Sequence, residues 1–138
     1  MPRYIIPIGN NEPIPDMDMA KMILASILEQ VPMDSEYDYK EPFDLEWDAA
    51  VKRHSSVDPE HISHRVISAK IEDDELVITY VLTPYGMALA IPTEALEFFP
   101  RTILRFDQKD DTLESLTVVS VDLIKSNVIS IFRGQEER

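Results

Sequence analysis

From His64 onward the chain changes its hydrophobic rhythm. Val66, Ser68, Lys70 and Glu72 alternate with Ile67, Ala69 and Ile71. That period of two belongs to extended backbone, whose successive side chains point to opposite faces. Asp73-Asp74 interrupts the run as a tight turn, and residues 75–82, rich in Val, Ile, Thr and Tyr, read as a returning strand that Pro84 ends. Residues 92–97 read as a short helix with Thr93 near its cap. Residues 101–107 read as a third strand, Lys109-Asp110-Asp111-Thr112 as a turn, residues 113–124 as a fourth strand and residues 128–132 as a fifth.

Before His64 the signals are helical or irregular. Pro7, Pro13 and Pro15 keep the first residues extended, with a strand expected at 4–8. Asp16 is placed to cap a helix running to about Gln30, with Met19, Met22, Ile23, Ile27 and Leu28 on one face at three- and four-residue spacings. These methionines belong to the core, or to an adaptable contact surface in which Met19 and Met22 take part. Residues 32–42 read as a polar loop in which acidic residues alternate with Tyr37 and Tyr39. Such a strip is either a solvated connection or a docking element. A second helix fits residues 43–53, burying Phe43, Trp47, Ala50 and Val51.

The sum is a single α+β domain over residues 1–138. An extended arm and two helices occupy 1–53, and a mainly antiparallel small sheet or barrel with short helices occupies 54–132. Residues 133–138 form a charged, frayed tail. A chain of 138 residues buries roughly 68% of its unfolded surface, so it needs no covalent staple. It has no cysteine, which excludes disulfides and thiolate metal sites. No apolar run approaches the roughly 20 residues of a spanning helix, and no signal peptide is evident, so the reading is of a soluble chain. The net charge of −13 disfavours nucleic acid as a partner. It suits solubility, or docking on a basic surface.

Three glycines leave no material for a phosphate-cradling loop or a Gly-x-Ser-x-Gly elbow. His54, His61 and His64, with Asp58 and Glu60 between them, are the weak candidates for a divalent metal. Surface or structural roles are the plainer reading, and no metal or other cofactor is expected. Ser55, Ser56 and Ser63 lie near these histidines, the neighbourhood a nucleophile would need.

One ordered series of motifs has a further meaning. Ser63-His64 precedes the first strand, Thr83-Pro84-Tyr85-Gly86 forms a turn, Phe98-Phe99-Pro100-Arg101-Thr102 follows, and Val121-Asp122-Leu123-Ile124 comes last. That order, from His54 to about residue 127, resembles the prohead serine proteases of tailed phages. The resemblance implies a prohead-protease-like fold, with His54 at the position of the base and a helix through residues 87–90. The family carries its serine just before the arginine, where this chain has Phe99-Pro100, and neither residue supplies a nucleophile. His54, Arg101 and Thr102 are then the residues of a remnant site. The implied function is a non-catalytic phage structural or head-assembly protein in the virion or prohead, and in the host cytoplasm during assembly. Its partners would be capsid, core or other virion proteins, with self-association left open and with neither nucleic acid nor membrane. The alternatives are an active or self-processing protease and an acidic inhibitor of a host defence protein.

Overall fold

The computed structural model describes residues 2–37, 55–92 and 96–125. In chain order these form β1 (Arg3–Pro7), α1 (Met17–Gln30), β2 (Met33–Glu36), a 3-10 turn (Pro59–His61), β3 (Ile62–Glu72), β4 (Glu75–Leu82), α2 (Pro84–Ala88), β5 (Leu96–Phe106) and β6 (Leu113–Lys125). A four-stranded antiparallel sheet has the order β1-β4-β3-β2, and β5 and β6 form a separate antiparallel hairpin. The class is α+β and mostly antiparallel, as the change of period predicts. Among the described residues no helix is long and apolar enough to cross a membrane.

The β3–β4 hairpin is closed by its two aspartates. Glu72 pairs with Glu75, so Asp73 and Asp74 alone form the loop. Their φ angles of 50° and 60° are the pair that a two-residue turn of matching twist requires. The alternation along β3 is not continuous. Val66 pairs with Tyr80 but Ser68 with Thr79, so Ile67 is an extra residue. Before this bulge His64 and Val66 face inward, and after it Ala69 and Ile71 do.

Asp16 caps α1, its side chain accepting from the Met19 amide at 2.8 Å. The buried face is Ala20, Ile23, Ser26 and Ile27, and Leu28 is exposed. The face is therefore rotated from the one expected, which included Leu28. The reason is Ser26, a polar residue that the apolar pattern passes over and that points inward to a strand. Met19 and Met22 are half-buried and pack against the core.

That strand is β6. Its first edge is laddered to β5. Its second edge meets mainly side chains, apart from a parallel bridge of Leu123 to Tyr37. The Val118 amide donates to Ser26 Oγ at 2.8 Å, and the Val118 carbonyl accepts from Gln30 Nε2 at 2.8 Å. The Val121 amide donates to Ser35 Oγ at 3.0 Å, and the Val121 carbonyl accepts from His64 Nε2 at 2.7 Å. In return Ser120 Oγ accepts the Glu36 amide at 3.3 Å. Arg101 pairs with Ser120 but Thr102 with Val118, which makes Val119 an extra residue and sets the two satisfied positions three apart. Buried main-chain groups need partners, and here α1, β2 and β3 each supply them.

The core lies between this hairpin, α1 and the four-stranded sheet. Phe98 is 1% exposed, and its ring centroid lies 4.5 Å from that of Tyr4, 4.8 Å from Tyr80 and 5.0 Å from His64. Burying one phenylalanine contributes about 2–3 kcal/mol. This ring joins β1, β3 and β4 to β5.

Several expectations are corrected. The polar loop expected at 32–42 contains β2, whose Ser35 and Glu36 are fully buried. Its pattern is illegible as a strand because, beyond Met33, its inward residues Ser35 and Glu36 are polar and meet other polar groups. Leu96 and Glu97, expected to end a helix, begin β5, which therefore starts five residues before Arg101. Pro100 is tolerated inside it. Val121, opposite Pro100, turns both its main-chain groups away from β5, so the missing proline N–H costs no ladder bond. Residues 84–88 form the helix expected slightly later, with Thr83 as its cap and Pro84 in its first turn. The helix expected at 43–53 and the strand at 128–132 lie outside the described residues.

If Ser26 holds β6 as described, Ser26→Ala leaves the buried Val118 amide without its acceptor and destabilises the fold by about 1–3 kcal/mol. Urea unfolding measures this. A change within a few tenths of a kcal/mol would mean that the amide does not depend on Ser26.

Candidate functional site

The polar interior beneath β6 is the one place where chemistry-bearing side chains converge among the described residues. It has two halves, one on each side of Val121.

The first half is Ser63 with His64. Ser35 pairs with His64 but Glu36 with Ile62, so Ser63 is the extra residue of a bulge. Both Ser63 and His64 are fully buried. Ser63 Oγ lies 2.9 Å from His64 Nδ1. The tautomer follows from the other nitrogen: Nε2 faces the Val121 carbonyl, which only accepts, so Nε2 carries the proton. Nδ1 then accepts from the Ser63 hydroxyl. Burial pushes the His64 pKa down from 6.5 to about 4, and the hydrogen bond to Val121 opposes the shift only in part.

The Thr83-Pro84-Tyr85-Gly86 segment presses on this pair. The Thr83 amide donates to the Ser63 carbonyl at 3.0 Å, and Thr83 Oγ1 donates to the Ile62 carbonyl at 2.6 Å. The same Oγ1 accepts the Gly86 amide at 3.1 Å. A Cβ at Gly86 would lie 1.8 Å from the Ser63 carbonyl oxygen, a separation no side chain survives. Glycine is thus required by a backbone contact between α2 and β3.

The second half is ionic. Arg101 Nη2 donates to Glu36 Oε1 at 2.9 Å, and Arg101 Nε lies 3.1 Å from Asp122 Oδ2. Nη1 donates to the Ser56 carbonyl at 3.0 Å. The other Glu36 oxygen accepts the Asp58 amide at 2.7 Å. All three charged side chains are at least nine-tenths buried. Arg101 and Asp122 come from the hairpin, Glu36 from β2, and the Ser56 and Asp58 main chain from the segment leading into β3.

Connectivity alone would let a serine and a histidine 2.9 Å apart act as nucleophile and base. The described surroundings argue against that role. Neither side chain is exposed, and His64 Nε2 is held by a carbonyl instead of a carboxylate. A nucleophile needs a path for a substrate and an oxyanion position beside it, whereas the Phe98 ring packs edge-on against His64, β6 holds its Nε2, and the segment leading into α2 bonds the Ser63 carbonyl. The Arg101 guanidinium is equally committed.

The other residues singled out from sequence are dispersed. His61 is in the 3-10 turn, half-buried, with Nδ1 3.0 Å from Asp58 Oδ2. His64 has both nitrogens engaged, so these two do not form a metal site. Among the described residues no group of three His, Cys, Asp or Glu side chains could hold a metal. Thr102 is half-buried in β5, next to Arg101. Tyr37, expected as a contact residue, is 5% exposed and bridges to Leu123, so it belongs to the core. His54 and Tyr39 lie outside the described residues. Ser26, Gln30, Ser35, Glu36 and Ser120 were not foreseen. Their only sequence signal is a polar residue at a position where α1 or a strand turns inward. No protein-family model, no curated protein and no solved structure matches this chain.

Two predictions follow from this interior. Because His64 is neutral when folded and has an ordinary pKa when unfolded, the unfolded chain binds the extra proton between pH 6.5 and about 4. Stability from this group is complete above pH 6.5 and falls with pH across that window by about 3 kcal/mol. The stability gap between wild type and His64→Gln, followed by urea unfolding, should therefore narrow by about that amount from pH 7 to pH 4. A constant gap would show that His64 does not titrate in this way. Arg101→Met strands two buried carboxylates and should cost about 3–5 kcal/mol, while adding Glu36→Gln should cost less than the two changes summed. Strict additivity would show that Arg101 and Glu36 act independently.

Proposed function

We propose that the chain is a non-catalytic structural or assembly protein that works by binding other proteins. Following the motif order, its setting is the head of a tailed phage and its frame is related to the prohead proteases. The observation that carries the non-catalytic reading is the fate of the residues that would have been chemical. Ser63, His64, Arg101 and Asp122 are all buried; Ser63 and His64 bond each other and main chain, and Arg101 is paired with Glu36 and Asp122 and bonds the Ser56 carbonyl. Arg101 follows Phe99-Pro100, where the family has its serine.

An assembly protein needs a rigid body and a presented surface. The buried network supplies rigidity, because each polar atom in it loses its partner if an element shifts. The charge of −13 favours a partner surface rich in lysine and arginine, and keeps the chain from phosphate backbones.

Two measurements test this reading. Incubated with capsid and core proteins, the chain should leave them intact, and Ser63→Ala should behave as wild type. Mass spectrometry of purified proheads and virions should find the chain at a fixed ratio to the major shell protein. Cleavage abolished by Ser63→Ala would establish the protease alternative. Absence from every particle, with the chain found only on a host protein, would favour the inhibitor alternative.

A further inference from the structure

Among the described residues the methionines fall into distinct environments. Met33, at the start of β2, is 4% exposed and belongs to the core. Met17, Met19 and Met22 are half-buried and pack against that core from α1. Met87, in α2, is 60% exposed. Met1 lies outside the described residues. A thioether is oxidised where an oxidant reaches its sulfur, so these side chains differ in reactivity as they differ in burial.

α2 is seated without the Met87 side chain. Thr83 caps it, with its amide on the Ser63 carbonyl at 3.0 Å and its Oγ1 on the Ile62 carbonyl at 2.6 Å. Gly86 lies so close to β3 that a Cβ there would come within 1.8 Å of the Ser63 carbonyl oxygen. Met87 contributes its main chain, the amide donating to the Thr83 carbonyl at 2.9 Å. These bonds fix where the Met87 side chain emerges, and none of them uses its thioether.

The segment around Met87 is uncharged. From Leu76 to Pro92 the chain has no Asp, Glu, Lys or Arg, and Pro84, Ala88 and Ala90 are exposed. A sulfoxide would turn an apolar part of this surface polar. The same change at Met33 would place a polar oxygen in the core, so oxidation there requires the fold to open first.

We propose that Met87 is a site of selective oxidation by hydrogen peroxide, and that the product alters the surface of α2 while leaving the scaffold intact. In this step the sulfur lone pair attacks one peroxide oxygen. The S–O bond forms as the O–O bond breaks, and the departing hydroxide takes the proton of the transferred oxygen and leaves as water. Sulfur gives up two electrons and the peroxide accepts them.

The test exposes the full chain to hydrogen peroxide, quenches samples with catalase at intervals, and locates the added oxygen by peptide fragmentation in a mass spectrometer. A parallel series runs in denaturing urea. In the folded chain Met87 should gain oxygen about tenfold faster than Met33, and severalfold faster than Met17, Met19 and Met22. In urea the rates should converge. The chain oxidised at Met87 alone should melt within about 1 °C of the unmodified protein. Met87→Leu should lose the fast phase and leave the slower sites unchanged. Equal rates at Met87 and at the α1 methionines in the folded chain would overturn the selectivity. So would a rate difference that persists in urea, since it would belong to local sequence and not to burial. A fall of several degrees on oxidation of Met87, or failure of Met87→Leu to fold, would show that this side chain supports the fold and would overturn the intact scaffold.

Discussion

A strand that has a neighbour on one edge and the protein interior on the other must find acceptors and donors for the second edge. β6 meets that requirement with side chains. Ser26 and Gln30 from α1, Ser35 from β2 and His64 from β3 satisfy the main-chain groups of Val118 and Val121. Each of these bonds contributes about 1 kcal/mol net, but leaving a buried group unmade costs more. The arrangement therefore acts through its penalty. A rotation of α1, a slip of β2 or a change of register in β3 would orphan at least one buried group.

The same requirement engages polar residues that would otherwise look available for chemistry. His64 must be neutral with its proton on Nε2 to serve Val121, and Ser63 then supplies the proton for the remaining nitrogen. Arg101 is held between Glu36 and Asp122 on the opposite face of the same strand segment. Replacing such an ionic group by apolar residues can be neutral or stabilising, so its presence is weak evidence for stability as such. Its geometric effect is plainer: it ties the hairpin to β2 and to the main chain at Ser56 and Asp58.

What was legible in the sequence was whatever depends on neighbours in the chain. Asp16 marked the start of α1, Asp73-Asp74 marked a two-residue turn, and alternation marked β3, β4 and β6. What was illegible depends on partners far away in sequence. Glu36 reads as one more acidic loop residue until Arg101, 65 positions later, is placed beside it. Ser26 reads as an interruption of an apolar face until Val118 is placed against it, 92 positions later. The bulges at Ser63, Ile67 and Val119 leave no composition signal, yet each inverts or doubles the inward face of its strand. Of the residues singled out from the motif order, Arg101 and Asp122 meet in the polar interior, and Ser63 and His64 lie beside it. Exposure, which decides between reaction and scaffold, is a property of the folded surroundings and could not be read from those residues.

The contrast between the two halves of the β5–β6 hairpin follows from where the side-chain partners end. Up to Val118 the ribbon is held on its inner edge by α1, β2 and β3, and Pro100 removes a donor from its outer edge. Past that point neither device continues among the described residues, while the apolar stripe does, through Leu104 to Phe106. An interior built from mutually dependent polar bonds leaves little freedom to remodel on binding. The outer end of the ribbon lies outside that network of polar bonds. Ordering a two-stranded ribbon is also cheaper than ordering a loop, because its ladder and register are already set by β6. A rigid base of this kind is poorly suited to a mechanism that needs the interior to open.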